Sequence, residues 1–219
     1  MADRPHILTG FHFTKPTLAA FEERVDIVGR MENPKPTPAD IPPGTAATVQ
    51  AIVSTGSVGL SEAMMAALPR LSLFCCYGTG YERVDLEAAR RRNIMVTHGA
   101  DANAPDVAEL AFGILLASTR RIVRADKMIR RGEWTKRIPN RFGAIAGLTG
   151  GKLGILGLGA IGLEVAKRAK GFDMEIGYCN RSQRADVDYP YFPEIMALAT
   201  WCDYLVVCLR SDASNRHII

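Results

Sequence analysis

This sequence predicts an α/β fold in which parallel strands alternate with helices that cover both faces of the sheet. Three observations carry the expectation. Short apolar runs of strand length recur at 51–53, 71–76, 94–96, 152–156, 174–178 and 204–208, several of them spaced by helical patterns, and that alternation builds parallel sheets. The stretch Leu153-Gly154-Ile155-Leu156-Gly157-Leu158-Gly159-Ala160-Ile161-Gly162 sets Gly157, Gly159 and Gly162 at G-x-G-x-x-G spacing. It lies where an apolar strand should turn into a helix, and the next strand arrives on the schedule of a βαβ unit. That combination marks a Rossmann-type nucleotide-binding unit.

The elements follow in order. A short apolar stretch at 6–8 opens the chain. The run Asn33-Pro34-Lys35-Pro36-Thr37-Pro38-Ala39-Asp40-Ile41-Pro42-Pro43-Gly44 excludes regular helix and central strand. Residues 51–53 form a strand, and Ser61 is placed to cap a helix over 62–68. A buried strand over 71–76 follows, then a helix over 86–92 capped by Asp85 and ended by Asn93, then a strand over 94–96. Residues 1 to about 98 thus form one small α/β unit.

A single long helix is expected over 104–131, with Pro105 in its first turn and Gly132 at its end. Val107, Leu110, Ala111, Ile114, Leu115 and Ser118 make its apolar stripe, and past Thr119 it turns basic. At ~1.5 Å per residue it would reach about 40 Å, which suits a connection between lobes or an arm against another subunit. A polar, glycine-rich segment containing Trp134 leads to the cradle strand over 152–156. Beyond it come a helix over 161–169, a strand over 174–178, a helix over 191–200 and a strand over 204–208.

Composition narrows the function classes. Apolar residues make up 47% and charged residues 23% of the chain, which excludes wholesale disorder. No apolar run approaches the ~20 residues needed to span a membrane. The opening Met1-Ala2-Asp3-Arg4-Pro5-His6 lacks a secretory layout, so a cytoplasmic protein is expected. The five cysteines are odd in number, lack a C-x-x-C pair and sit mostly in apolar runs, reading as reduced core residues and not as metal ligands. The net charge of +4 gathers at Arg90-Arg91-Arg92 and at Arg120, Arg121, Arg124, Lys127, Arg130, Arg131, Lys136, Arg137 and Arg141. No groove-reading motif or set of stacking aromatics accompanies it, so a nucleic acid partner is not expected. A solvated helix face that attracts an anionic ligand accounts for the cluster.

The glycines have separate tasks. Gly157 allows the tight turn, Gly159 lets the backbone approach a pyrophosphate, and Gly162 lets the following helix pack close to the strand. Free N–H groups and the positive end of the helix dipole then face the phosphates. An NAD(H) site places a carboxylate about 20 residues past the glycines, on the ribose 2′-OH. Here that place reads Tyr178-Cys179-Asn180-Arg181-Ser182-Gln183-Arg184, with no carboxylate and two guanidinium groups. Arginine holds a 2′-phosphate that aspartate would repel, so NADP(H) is preferred and NAD(H) possible. Were Arg181 and Arg184 only solvated loop residues, the coenzyme would stay undecided.

Four stretches resemble one family, the D-isomer-specific 2-hydroxyacid dehydrogenases. Tyr77-Gly78-Thr79-Gly80-Tyr81-Glu82-Arg83-Val84-Asp85 resembles its G-[VT]-G-x-D-x-[VI]-D signature, and Ala104-Pro105-Asp106-Val107-Ala108-Glu109-Leu110-Ala111 its interlobe helix start. The third stretch is the cradle at 151–162. The fourth, Asn215-Arg216-His217-Ile218-Ile219, is similar to its T-R-H-L-I run. The ending of the strand after the cradle looks most like the glyoxylate/hydroxypyruvate reductase branch. Three departures stand out: Ala160 where the family often has Arg, Glu82 for the usual Asp, and Arg210 where Pro is common.

The resemblance implies a flavodoxin-like substrate domain over 1–98 and an incomplete Rossmann domain over 99–219, with a cleft between the two lobes. It implies hydride transfer between the nicotinamide and C2 of a small 2-oxo acid, and a homodimer for the complete protein. The backbone N–H groups of Thr79 and Gly80 would receive the substrate carboxylate, and Thr79 would also touch the cofactor. Leu158, Gly159, Ala160 and Ile161 would meet the pyrophosphate; Asn180, Arg181 and Ser182 the adenosine ribose. Leu209 and Arg210 would form the loop after the third Rossmann strand.

The family's catalytic Arg, Glu and His are carried beyond that strand, and this sequence ends before them. His6, His12, His98 and His217 are poor substitutes, so no catalytic residue is assigned and the 219 residues alone are expected to be inactive. In the order 3-2-1-4-5-6, loss of strands 4 to 6 would leave 152–156 as an unpaired apolar edge prone to aggregation. The first lobe is likewise expected to lack its returning C-terminal helix. An NAD(P)-sensing interaction protein, like the corepressor relatives of this fold, is the alternative function.

Overall fold

The computed structural model describes residues 4–134, 142, 146–210 and 212–219. The chain divides into two compact units, Met1–Ala102 with Ser211–Ile219, and Asn103–Arg210. The sequence alone sets the boundary at 98 and leaves the last residues with the second unit; in the structure Ser211–Ile219 groups with the first.

Five parallel strands form the sheet of the first unit: β1 (His6–Thr9), β2 (Asp26–Arg30), β3 (Val49–Ser54), β4 (Leu73–Cys76) and β5 (Met95–His98). Their order, β2-β1-β3-β4-β5, is that of the flavodoxin-like fold. Helices α1 (Lys15–Glu22), α2 (Glu62–Ala67) and α3 (Leu86–Arg91) connect them. One core gathers Leu8, Ile52 and Phe74 with Met64, Met65, Leu68 and Ala88. A second gathers Ile7, Ala51 and Val53 with Phe11, Phe13, Phe21 and Val25. Strands buried on both faces are apolar throughout, which is why they stand out as runs.

Both expected caps are present. Ser61 Oγ accepts the Met64 N–H at 3.3 Å, and Asp85 Oδ1 accepts the Ala88 N–H at 2.9 Å. Asn93 takes a left-handed conformation (φ 55°) to end α3. The Pro-rich run contains only a single 3-10 turn, Pro38–Asp40, braced by Thr37 N–H and hydroxyl donating to Asp40 at 2.7 and 2.8 Å. Those bonds hold the Asp40 carboxyl below its ordinary range. Helix α1 and strand β2 were not expected. The helix has no capping side chain and no buried residue, and β2 is a half-exposed edge strand interrupted by Gly29.

In the second unit, helices α4 (Ala104–Thr119) and α5 (Ile122–Arg130) replace the single helix expected over 104–131. Arg121 between them is left-handed, at φ 56°. The Thr119 hydroxyl donates to the Leu115 carbonyl at 2.8 Å, the kind of side-chain competition that weakens a helix interior. The α5 helix leaves Ile122, Val123 and Ile129 exposed. Lys136, Arg137 and Arg141 of the basic cluster lie outside the described residues.

Strands β6 (Lys152–Leu156), β7 (Glu175–Cys179) and β8 (Tyr204–Val207) are parallel and ordered β7-β6-β8, with α6 (Ala160–Lys170) and α7 (Ile195–Trp201) between them. The expectation that β6 is an unpaired edge is therefore wrong: β8 pairs with its far side. In the 3-2-1-4-5-6 order that is the place of strand 4, not strand 3. The strand 3 position beside β7 holds only a single bridge, Tyr178 to Tyr191. Pro190 and Pro193 flank that bridge and prevent a longer ladder. Pro193 also excludes helix at Phe192, so α7 begins at Ile195 and not at 191. The open edge passes to β8. No helix among the described residues is long and apolar enough to cross a membrane.

Phe74 is fully buried at the centre of the first core. Phe74→Ala is expected to destabilise that unit by about 3–5 kcal/mol, read as a lower urea midpoint.

Candidate nucleotide site

The cradle begins where β6 ends. The Gly157 N–H donates to the Cys179 carbonyl at 2.9 Å, and the residue turns at φ 97°. A Cβ there would lie 3.0 Å from the Cys208 backbone and 2.9 Å from Leu209 Cδ2, so both conformation and space require glycine. A Cβ on Gly162 would collide with the Gly157 carbonyl oxygen and sit 3.2 Å from Ile155 Cγ2. The first turn of α6 therefore rests directly on the strand end. Gly159, at the N-cap of α6, is different: it is exposed, and a Cβ there would meet nothing within 4 Å.

That N-cap has no side-chain acceptor. Among the described residues the N–H groups of Ala160, Ile161 and Gly162 find no partner either. Three donors at the positive end of a helix, beside an open glycine, fit a pyrophosphate.

Two aromatic residues shape the loop after β7. Tyr178 is fully buried, and its hydroxyl oxygen accepts the Arg184 backbone N–H at 2.8 Å. The Tyr191 hydroxyl donates to the Asn180 carbonyl at 3.3 Å. Asn180 Oδ1 accepts the Leu158 N–H at 2.7 Å, and Arg184 Nη1 donates to the Leu158 carbonyl at 3.1 Å. Arg184 also pairs with Asp186, which keeps the Asp186 carboxyl below its usual range and raises the arginine. Arg181 and Ser182 lie exposed on the same loop. Burial raises the Cys179 thiol and pushes Cys208 up to about 11, so the cysteines flanking the cradle stay protonated.

The structure thus brings Gly157, Leu158, Gly159, Ala160, Ile161, Gly162, Asn180, Arg184 and Leu209 together, with Arg210 next to Leu209. Asp186, Tyr178 and Tyr191 were not singled out in the sequence. The signal for Tyr178 was present, since a buried tyrosine needs a partner for its hydroxyl.

Thr79 and Gly80 belong to the first unit, in the turn after β4. Gly78 there has φ 125°, and its carbonyl accepts the Gly99 N–H at 2.6 Å. The Gly80 carbonyl packs where a side chain on Gly56 would fall. Among the described residues the N–H groups of Thr79 and Gly80 have no acceptor. Two histidines hold local structure: His98 Nδ1 accepts the Ala100 N–H at 3.0 Å, and His12 Nδ1 lies 2.9 Å from Arg30 Nη1.

Residues 112–219 match the model of the D-isomer specific 2-hydroxyacid dehydrogenase NAD binding domain. A solved dehydrogenase from Rhizobium meliloti is 32% identical, with TM-score 0.76, over 94% of this chain and 70% of that one. The chain belongs to the D-isomer-specific 2-hydroxyacid dehydrogenase family.

Two further relatives are similar to it over most of its length. A glyoxylate/hydroxypyruvate reductase of Arabidopsis thaliana is 36% identical over 177 residues, covering 81% of this chain and 54% of that protein. An NADPH-dependent glyoxylate/hydroxypyruvate reductase of Sinorhizobium meliloti, solved with NADP and malonate, is 31% identical with TM-score 0.83. That match covers 97% of this chain and 65% of the other. The chain spans about half the length of the curated relatives it matches.

Two of the cradle glycines predict different effects on stability. Gly162→Ala drives a methyl into the Gly157 carbonyl and is expected to cost about 1–3 kcal/mol of stability together with coenzyme binding. Gly159→Ala should change stability by less than about 1 kcal/mol, because the lost N-cap preference and the stiffer unfolded chain oppose each other. It should still weaken coenzyme binding by filling the open approach. Thermal melts and coenzyme titrations check both.

Proposed function

We propose that the protein is an oxidoreductase of small 2-oxo acids of the glyoxylate or hydroxypyruvate type, using NADP(H) in preference to NAD(H). The end of β7 carries this reading. It presents Asn180, Arg181 and Ser182 where an NAD(H) site needs a carboxylate, beside a cradle with three unengaged amides. In this reading Ala160, Ile161 and Gly162 hold the pyrophosphate, while Arg181 and Ser182 hold the 2′-phosphate through a charged fork and a hydroxyl. The amides of Thr79 and Gly80 hold the substrate carboxylate. When bound, the reduced coenzyme supplies the hydride for the carbonyl carbon.

The substrate class comes from the relatives' names and from that pair of amides. The residues of this chain bind and orient. No described histidine is placed as the acid that protonates the resulting alkoxide, so residues 1–219 alone bind coenzyme without turning over. The exposed apolar face of α5, with Ile122 and Ile129 seven residues apart, is the surface through which the whole protein would form a homodimer.

Fluorescence titration tests the coenzyme. NADPH is expected to bind at least about tenfold tighter than NADH, the scale of one charged hydrogen bond. Arg181→Ala should remove that preference and leave NADH unchanged. Equal affinities in the unmodified chain would refute the assignment. Steady turnover of glyoxylate or hydroxypyruvate by residues 1–219 would refute the division into binding without catalysis.

A further inference from the structure

A guanidinium in the loop after β7 suits a phosphate reader, yet all three nitrogens of the Arg184 side chain are engaged. Nε donates to Asp186 Oδ1 at 2.9 Å and Nη2 to Asp186 Oδ2 at 2.5 Å. Nη1 donates to the Leu158 carbonyl at 3.1 Å, and the residue's backbone N–H is anchored on buried Tyr178. The fork starts from a held backbone, is oriented by a carboxylate and ends on the cradle. A 2′-phosphate at this guanidinium would lie beside Asp186 and be repelled by it.

Peptide geometry gives that contact its consequence. The Leu158–Gly159 peptide is planar and trans, so its C=O and N–H point in opposite directions. Holding the Leu158 carbonyl toward Arg184 aims the Gly159 N–H away from it, at the residue that caps α6 beside open space. The preceding peptide is held too, because the Leu158 N–H donates to Asn180 Oδ1 at 2.7 Å. Leu158 is itself fully buried. One buried residue is thus pinned at both of its peptide groups by side chains of the neighbouring loop.

We propose that Arg184 is a positioning residue of the coenzyme cradle, held by Asp186 against the Leu158 carbonyl, and is not a reader of the coenzyme's 2′-phosphate. The proposal rests on the coenzyme reading above and assigns Arg184 a different task from the one its sequence position implies.

Titration of the 219-residue chain with NADPH and NADH separates the two tasks. Arg184→Met is expected to weaken both coenzymes about tenfold, the loss of one charged hydrogen bond, with their ratio kept within about twofold. Asp186→Ala retains the guanidinium but releases it, and is expected to weaken NADH as well. Weakening confined to NADPH would make Arg184 a phosphate reader and overturn the proposal. So would a lower coenzyme-free melting temperature with unchanged dissociation constants, the signature of a merely structural role. If Arg184→Met does not fold, Asp186→Ala decides: an unchanged NADH affinity overturns the proposal and a weakened one supports it. Failure of the underlying coenzyme reading is distinct, because the unmodified chain would then bind neither coenzyme, and both would fall.

Discussion

The backbone contact between Gly157 and Gly162 is the constraint on which the nucleotide unit depends. With no side chain on either residue, the first turn of α6 settles onto the end of β6. This aligns the unpaired amides of Ala160 to Gly162 with the strand's exit. The rest of the unit keeps α6 there. Ala108 and Phe112 of α4 pack in one core with Val165, Ala166 and Ala169 of α6. Arg168 of α6 bridges Glu109 of α4 at 3.1 Å while also pairing with Glu164 of its own helix. Small residues permit close helix approach, and the half-buried arginine fixes the register of one helix on the other.

Both units place their unengaged amides by the same rule. Parallel strands end together on one edge, and loops leaving that edge are free to carry chemistry because the sheet beneath is rigid. In the first unit, Gly56, Gly78, Gly80 and Gly99 crowd around the ends of β3, β4 and β5, where backbone approaches backbone too closely for a Cβ at Gly56. In the second, Gly157 does the same between β6, β7 and β8. Glycine at such points is a statement about space before it is a statement about ligand.

Much of the fold was legible because its signals are local. Ser61 and Asp85 cap their helices through hydrogen bonds three residues ahead. The doubly buried strands are recognisable from composition alone, and the glycine spacing reports a turn whose geometry is contained in six residues. Elements failed where the signal was weak or the outcome depended on distant partners. Helix α1 and strand β2 have no fully buried residue and so lack a clear apolar pattern. The break at Arg121 arises from a threonine competing for a carbonyl and a left-handed residue, neither of which disturbs the apolar stripe. Within the site, the glycines and Asn180 were legible from their spacing. Asp186 was not, because its importance comes only from what it does to Arg184.

By itself the sequence determined the fold class and the place where a nucleotide's phosphates belong, since both follow from short-range periodicity, capping and glycine spacing; the family was legible only through the resemblance of its motifs at 77–85, 104–111, 151–162 and 215–219. Tertiary structure alone decided that β8 pairs beside β6, because strand order depends on which distant segments meet and on prolines that truncate the ladder at Tyr191. It also decided the task of Arg184: a buried tyrosine hydroxyl, a carboxylate and a carbonyl 26 residues away, which no local pattern in the sequence announces, commit that side chain to the cradle.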